Sequence, residues 1–420
     1  MGSQPFGVRR LEHPSRAARL GTPPVGALVG CDLTQPSRAE MVLWQKRGAR
    51  PPGAKAVTDH RTAKMASKDG LSRQWVPAER ACKHLDERMK LRYRLAPIDS
   101  LPRCFLTLLV LTFATPATVA QLGWVSSRIA SETQDLNTVF FLDSRRGWVG
   151  GNDGFLSRTE DGGHTWIQQT VGTTDAVNDI YFRDKEDGFL LAGNAIFVTH
   201  DNGTTWSQAR RFLPSEFDGA AVELYSVRFS SKKKGWVVGS VSKRDRVVDS
   251  ILVLTKNGGE TWTRQRAPSR SELIHIDFDN DRRGWIVGTA GTILNTIDGG
   301  ETWTKQNSGT TSTLYHLDFR DDKRGWAVGE RGTILRTTDG GMNWTPVTAG
   351  VRATLLSVQF VTDDDGWAVG RGGTILRSND GGQTWIQQES STKENLYALS
   401  FNKKIGWAVG GSGMILRYER

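Results

Sequence analysis

The sequence predicts an all-β protein, a seven-bladed β-propeller whose blades are four-stranded antiparallel sheets. A short phrase of the form Gly-aromatic followed by apolar residues recurs seven times at intervals of 40 to 49 residues, which is the spacing of propeller blades. A second phrase ending in Trp interleaves with the first, and no segment of residues 121–420 repeats apolar residues with the 3.6-residue period of a helix. The aromatic residues of the first phrase are Trp148, Phe189, Trp236, Trp285, Trp326, Trp367 and Trp407.

The fifth repeat shows how each unit supplies four strands. Leu314–Phe319 alternates apolar and polar residues and predicts the first strand, and Gly325–Gly329 is a short apolar second strand. Residues 333–337 predict the third strand and residues 344–347 the fourth. Asp-Gly-Gly at 339–341 separates the last two, because glycine accepts positive φ and an aspartate side chain can bond nearby backbone N–H groups.

The second phrase reads Ser/Thr-x-Asp/Asn-x-Gly-x-Thr/Asn-Trp and occurs six times. Its acidic residue could ligate calcium, but six copies at one structural position, each beside glycine, favour turn closure. We therefore predict structural turns and no metal at Asp161, Asp201, Asn257, Asp298, Asp339 and Asp380.

The uneven number of phrases predicts how the ring closes. There are seven Gly-aromatic strands but only six turn-Trp strands, and residues 414–418 have the pattern of a third strand. A segment around Trp124 resembles a fourth strand and precedes the first strand of the first blade. We therefore expect the N-terminal strand to complete the last blade, which would leave only short, protected sheet edges in a propeller spanning 121–420.

The net positive charge of the chain comes from its N-terminal part. Residues 1–120 carry 20 Lys and Arg against 9 Asp and Glu, whereas residues 121–420 carry 35 against 36. The net charge of +10 for the whole chain is therefore no argument for nucleic acid, and we expect no nucleic-acid partner.

Residues 89–120 have the form of a secretory signal peptide. The apolar run 104–114 is too short to span a bilayer, follows several basic residues and precedes small residues that end at Ala120. We expect cleavage near Ala120 and a mature protein in the periplasm or the thylakoid lumen. Residues 1–88 are predicted to be disordered, or to be untranslated sequence upstream of a true start at Met89. All three cysteines precede residue 121, so the propeller needs no disulfide.

Two hypotheses that assign chemistry to the propeller, a metal site and a glycosidase site, have less support in the sequence than a structural role for the same residues. His275 and His316 occupy the same place in successive first strands, but Ala398 occupies it in another blade, and a metal site would need a third ligand. A sialidase-type glycosidase would need an arginine cluster, an acid/base aspartate and a Tyr–Glu pair. Tyr418 and Glu419 are adjacent, but the accompanying parts are missing. We therefore expect no enzyme activity and no cofactor.

Arginines are the strongest candidates for a binding site. They follow Ile-Leu in the third strands of three consecutive blades and also stand in two of the preceding turns, so stacked blades would arrange them as a basic arc. Such an arc could bind an acidic protein segment or a carboxylate. The residues are Arg331, Arg336, Arg371, Arg377 and Arg417. Blade three also has a long segment at 240–249, after a long linker at 210–219, and function tends to lie in such loops.

The combined motifs resemble one family. Gly-Trp-Ala-Val-Gly, then Gly-Thr-Ile-Leu-Arg, then the Asp-box phrase, behind a signal peptide, are similar to the photosystem II stability/assembly factor family. The resemblance implies a monomeric, non-enzymatic lumenal or periplasmic propeller that binds the reaction-centre subunit D1 or its precursor and is at most peripheral to the membrane. The alternative is an envelope or cell-surface binding or adhesion propeller unrelated to photosynthesis.

Overall fold

The computed structural model describes residues 123–419, which form seven four-stranded antiparallel sheets. The predicted seven-bladed propeller is therefore confirmed. Each sheet pairs its strands in sequence order from the first to the fourth, and one sheet takes its fourth strand from the N-terminal side. The predicted leader at 89–120, the segment 1–88 and the three cysteines lie outside the described residues.

The 28 strands are numbered in chain order, and β1 (Gly123–Arg128) belongs to the last blade. Blade one is β2 (Leu136–Phe141), β3 (Gly147–Gly151), β4 (Leu156–Thr159) and β5 (Ile167–Gln169). Blade two is β6 (Val177–Phe182), β7 (Gly188–Ala192), β8 (Ala195–Thr199) and β9 (Ser207–Arg211). Blade three is β10 (Ala221–Phe229), β11 (Gly235–Lys243), β12 (Arg246–Thr255) and β13 (Thr263–Gln265). Blade four is β14 (Leu273–Phe278), β15 (Gly284–Gly288), β16 (Ile293–Thr296) and β17 (Thr304–Gln306).

Blade five is β18 (Leu314–Phe319), β19 (Gly325–Gly329), β20 (Ile334–Thr337) and β21 (Thr345–Val347). Blade six is β22 (Leu355–Phe360), β23 (Gly366–Gly370), β24 (Ile375–Ser378) and β25 (Ile386–Gln388). Blade seven is β26 (Leu396–Asn402), β27 (Ile405–Gly410) and β28 (Met414–Glu419), completed by β1. Short 3₁₀ turns lie at Asn152–Gly154, Pro214–Phe217, Glu330–Gly332, Arg371–Gly373 and Gly411–Gly413.

Closure of the ring follows the prediction from the repeat count. β1 pairs antiparallel with β28, with Trp124 opposite Tyr418. Trp124 is buried and meets Phe401 edge-on at 5.8 Å between ring centroids. In blade six Trp385 meets Phe360 in the same manner at 5.7 Å. The N-terminal strand thus supplies the tryptophan that the other blades take from the Asp-box phrase.

Tryptophans join neighbouring blades. Trp326 of blade five is fully buried and stacks on Phe360 of blade six, with ring centroids 3.5 Å apart and planes inclined by 12°. Trp285 and Phe319 stack across the preceding seam at 3.4 Å. Such rings bury large apolar areas and fill the wedge between twisted sheets. All seven core clusters are formed by residues of the described ring, 123–419.

The Asp-box turns are closed by their own side chains. In blade six Asp380 accepts hydrogen bonds from the hydroxyl of Ser378 at 2.8 Å and from the N–H and the hydroxyl of Thr384 at 2.9 and 2.6 Å. The carbonyl oxygen of Gly381 accepts a bond from Nε1 of Trp326 in blade five at 3.1 Å. A Cβ on Gly382, whose φ is +76°, would lie 2.1 Å from that nitrogen, so only glycine fits. The turn therefore closes blade six and holds its seam with blade five.

Hydrogen bonds hold the carboxylate of the Asp-box in its ionised form. In blade two the N–H of Thr205, followed by its hydroxyl, lowers the pKa of Asp201 to about 2. The charge is satisfied by protein donors, as expected for a turn-closing residue.

Within residues 123–419 no helix has the length and apolar character needed to cross a membrane.

Candidate functional site

The strand order divides the loops between two faces of the ring. Because consecutive strands are antiparallel, the turns between second and third strands lie on the same face as the linkers between blades, here called the upper face. The turns between first and second strands share the opposite, lower face with the Asp-box turns. The first strands, which are the innermost, line a central channel between the two faces.

Two predicted arginines lie on the upper face. Arg331 and Arg371 occupy the turns after β19 and β23, and both are exposed. Arg352, in the linker before β22, is also exposed and lies next to the turn of Arg331, because its Cα is within 3.6 Å of a Cβ built on Gly332. None of the three makes an ion pair with another residue in the part of the chain that the structure describes. These two turns and the adjoining linker thus present three cations without an ion pair among the described residues.

The other three predicted arginines lie near the lower face and are partly buried. The Nε of Arg336 donates to the carbonyl oxygen of Gly381 at 2.7 Å. Arg377 pairs with Asp365 at 2.9 Å and lies over the ring of Trp367 at 4.9 Å. Arg417 pairs with Glu419. The expectation of one basic arc is therefore wrong, because the third strands run toward the lower face and their arginines pack along the blades.

The central channel encloses a cavity of about 1250 Å³. Its wall is built from the first strands, in which the first, fourth and sixth residues, counted from Leu224 in the longer β10, are apolar and the others are often polar. The residues at the fifth place of this pattern are Phe140, Tyr181, Arg228, Asp277, Asp318, Gln359 and Ser400. Several of them bridge neighbouring blades through backbone bonds.

Two carboxyl groups in the channel accept bonds from the next blade. Asp277 accepts the N–H of Phe319 at 3.2 Å, and Asp318 accepts the N–H of Phe360 at 2.8 Å. Burial raises the pKa of Asp277 to about 6. Burial, followed by the charge of Asp277, raises the pKa of Asp318 to about 7. Burial in the channel wall therefore favours the protonated form of both carboxyl groups, compared with an exposed aspartate.

A second polar group in the channel centres on Arg228. It donates to Asp179 at 2.7 Å and lies 3.2 Å from Nε2 of His275, whose ring stacks on His316 with centroids 3.7 Å apart. Burial, followed by the charge of Arg228, lowers the pKa of His316 to about 3, so its ring is neutral. Across residues 123–419 no group of three or more His, Cys, Asp or Glu is placed to hold a metal ion.

Tyrosines mark the upper mouth of the channel. Tyr225 donates to Glu272 at 2.7 Å, and Tyr397 donates to Asp135 at 3.2 Å. Burial, followed by the charge of Glu330, raises the pKa of Tyr315 to about 12, while Arg371 opposes that rise. The charge of Arg371 also acts on Tyr397. Arg371 therefore lies beside the mouth, where an aromatic and polar rim meets the upper face.

Family comparison agrees with the motifs. The family model described as photosynthesis system II assembly factor YCF48 matches residues 166–268, 265–349 and 348–419, which together exceed half of the chain. The chain belongs to this family.

Relatives of this YCF48-family chain are distant. The photosystem II stability/assembly factor HCF136 of Arabidopsis thaliana, a chloroplastic protein, is 22% identical over 165 residues, which are 37% of this chain and 36% of that protein. The chain thus matches only about a third of the length of this curated relative.

Solved structures show the shared fold. A YCF48 bound to a D1 peptide has a TM-score of 0.58 and 22% identity, over 71% of this chain and 95% of that one. Virginiamycin B lyase from Staphylococcus aureus has a TM-score of 0.60 and 14% identity, over 71% of this chain and 100% of the lyase. The propeller itself therefore occurs in enzymes and in other proteins alike, so the fold does not decide the activity.

In this member of the YCF48 family the sequence motifs revealed the repeats but missed Arg352 and the polar channel. Arg352 lies in a linker outside both recurring phrases. The channel residues had a visible signal, since Arg228, Asp277 and Asp318 occupy one place in successive first strands. Aligning the seven repeats and comparing the residues that vary at each aligned position, in addition to the invariant residues, would have identified them.

Proposed function

We propose that this propeller is a non-enzymatic assembly factor that acts outside the cytoplasm and binds a segment of a photosystem II D1 subunit, or its precursor, on its upper face. Membership of the YCF48 family supports the class of function. A related propeller in complex with a D1 peptide supports the partner, and a chloroplastic relative named as an assembly factor supports the setting.

The proposal that the partner binds on the upper face rests on three arginines there that make no ion pair among the described residues. Arg331, Arg352 and Arg371 are exposed on adjoining turns and linkers, and Arg371 stands beside the channel mouth. A guanidinium binds carboxylates in a two-pronged geometry, so an acidic segment or a peptide's terminal carboxylate fits these groups. Each of the lower-face arginines, in contrast, makes a hydrogen bond or an ion pair inside the ring.

The sequence of the predicted leader supports a location outside the cytoplasm. The apolar run 104–114, the basic residues before it and the small residues up to Ala120 are typical of an exported protein. Mass spectrometry of the protein from its native cells tests this directly. A mature N-terminus near residue 121 is expected, and native peptides from residues 1–88 would contradict the proposed leader.

Binding is tested with residues 121–420 and a fluorescently labelled D1 peptide in an anisotropy titration. Reversing two upper-face charges, with Arg331→Glu and Arg371→Glu together, should weaken binding by at least about 100-fold, because each lost charged hydrogen bond is worth about 1.5–3 kcal/mol.

The matched control reverses two exposed cations of the lower face, Arg282→Glu with Lys323→Glu. Equal affinities of this control and the wild type are expected. If both double variants lose the same affinity, the effect is one of net charge and the upper face is not the binding site. Capture of envelope proteins or glycans, in place of D1, from membranes would favour the envelope or cell-surface alternative.

A further inference from the structure

The hairpin of blade three departs from the repeat in length. β11 and β12 extend to Lys243 and Arg246, whereas the second strands of blades four to six end after five residues. Four additional residues at 3.3 Å each carry the hairpin about 13 Å beyond the level at which other blades turn. Its turn, at Arg244 and Asp245, lies on the upper face beside the channel mouth.

The hairpin rests on a packed base. Phe212 and Phe217, from the long linker before blade three, share a core cluster with Val222 and Val241 of the extended strands. Lys243 donates to the carbonyl oxygen of Asp218 at 3.1 Å. The hairpin is therefore held in place at its base and not left as a loose loop.

The end of the hairpin exposes apolar and basic side chains together. Val247 and Val248 are 36% and 46% exposed, and Leu213 in the neighbouring linker is 49% exposed. Val248 is the extra residue of a bulge, since Val247 pairs with Ser242 while Asp249 pairs with Val241. Bulges re-aim side chains, and here two consecutive valines both reach solvent.

The arginines at the tip form no ion pairs within the described ring. Arg244 and Arg246 are exposed, and neither makes an ion pair with any residue of 123–419. Arg244 has φ +50°, a conformation that favours asparagine or glycine in a two-residue hairpin turn. The sequence thus keeps an arginine where turn geometry favours other residues, and it does so in a propeller whose own charge is close to neutral.

We propose that the tip of this hairpin, with Arg244, Arg246, Val247 and Val248, docks on an anionic lipid surface. The valines enter the interface and the arginines meet the headgroups, which is how amphipathic peripheral proteins combine apolar burial with charge attraction. Arg244 borders the central cavity, but Arg246, Val247 and Val248 do not line it, so the exposed valines lie on the outer side of the tip. An open apolar surface of this kind fits a deformable lipid interface better than it fits an acidic segment. This inference is independent of the D1 proposal, since it uses none of the arginines assigned there.

Vesicle flotation tests the proposal with residues 121–420, because the basic segment before residue 121 would itself attract anionic lipid. Binding is expected to vesicles of phosphatidylcholine with phosphatidylglycerol and not to phosphatidylcholine alone. Arg244→Asn with Arg246→Gln should weaken binding about 25-fold, since each cation near an anionic leaflet is worth about fivefold.

Arg244→Asn suits the turn, so loss of folding will not account for that result. Val247→Ser with Val248→Ser should weaken binding about tenfold, most clearly at high salt, where the charge contribution is screened. The control replaces two exposed apolar residues of the lower face, Ile297→Ser with Met342→Ser, and should bind as the wild type does.

Two outcomes would overturn the proposal. One is equal flotation of the wild type and both hairpin variants with anionic vesicles. The other is binding to soluble polyglutamate that needs the arginines but not the valines, together with no flotation, which would identify an acidic protein segment as the partner.

Discussion

Blades five and six are near copies of each other, whereas blade three differs from both. In blades five and six the second strands Gly325–Gly329 and Gly366–Gly370 have the same length and sequence, and each is followed by a short 3₁₀ turn. In blade three the equivalent strand has nine residues and leads into a projecting hairpin. The residues shared by the regular blades hold the ring together. The additional residues of the blade-three hairpin are exposed to solvent, and its two arginines form no ion pair within the described ring.

The largest expected effect comes from a seam of the regular blades. Trp326→Ala should lower the free energy of unfolding by about 3–5 kcal/mol, because a fully buried ring stacked on Phe360 is replaced by a cavity. Urea denaturation measures the change. Met342→Ala, at a side chain that is 76% exposed, serves as the control and should be near neutral. A small effect at Trp326 would show that seams do not carry stability.

The next effect lies in the channel and depends on pH. Burial, followed by the charge of Asp277, raises the pKa of Asp318 to about 7 from an ordinary 3.8, so the folded state binds a proton more tightly than the unfolded state. Stability should therefore fall as pH rises from about 4 to about 7.

Asp318→Asn keeps an acceptor for the N–H of Phe360 and should remove the part of this dependence that Asp318 causes, which stabilises the protein by up to about 4 kcal/mol at pH 8. Urea titrations at several pH values measure it. The same pH slope in variant and wild type would mean that Asp318 ionises freely.

A smaller loss is expected at an Asp-box turn. Partial burial acts to raise the pKa of Asp380, but hydrogen bonds from the hydroxyl and the N–H of Thr384 outweigh this effect. The pKa is therefore lowered, and the ionised form is favoured. Asp380→Ala should cost about 1–2 kcal/mol, and the loss should shrink below about pH 4 as the wild-type carboxylate is protonated. Asp380→Asn should cost less, since Asn257 already fills this place in blade three and bonds Thr261. Equal losses for both variants would contradict the role of the side-chain acceptor.

The smallest stability effect is predicted for the hairpin. Arg244→Asn should raise the free energy of unfolding by about 0.5 kcal/mol, because asparagine tolerates the positive φ of this turn better than arginine does. Thermal melts of the two proteins measure it. A marked loss would show that Arg244 serves the fold, and the contrast between blade three and the regular blades would then weaken.

The sequence predicted the fold because repetition turned weak local signals into a strong one. Leu314–Phe319 and Gly325–Gly329 have the bounds that the pattern predicted, and the place of Trp124 followed from counting phrases. The binding site was harder to predict. Arg331 and Arg336 are five residues apart, yet one stands in an upper turn and the other reaches toward the lower face. The spacing of residues along the sequence does not by itself show whether a side chain lies at the upper or the lower end of its blade.

The central claim is that partner binding belongs to the upper face and structural closure to the lower face. Hydrogen–deuterium exchange of residues 121–420, with and without a D1 peptide, tests it most directly. Slower exchange is predicted in the upper turns 330–332 and 371–373 and in the linker 351–354, with no change in the Asp-box turns. Protection confined to the Asp-box turns, such as 338–344, would contradict the account.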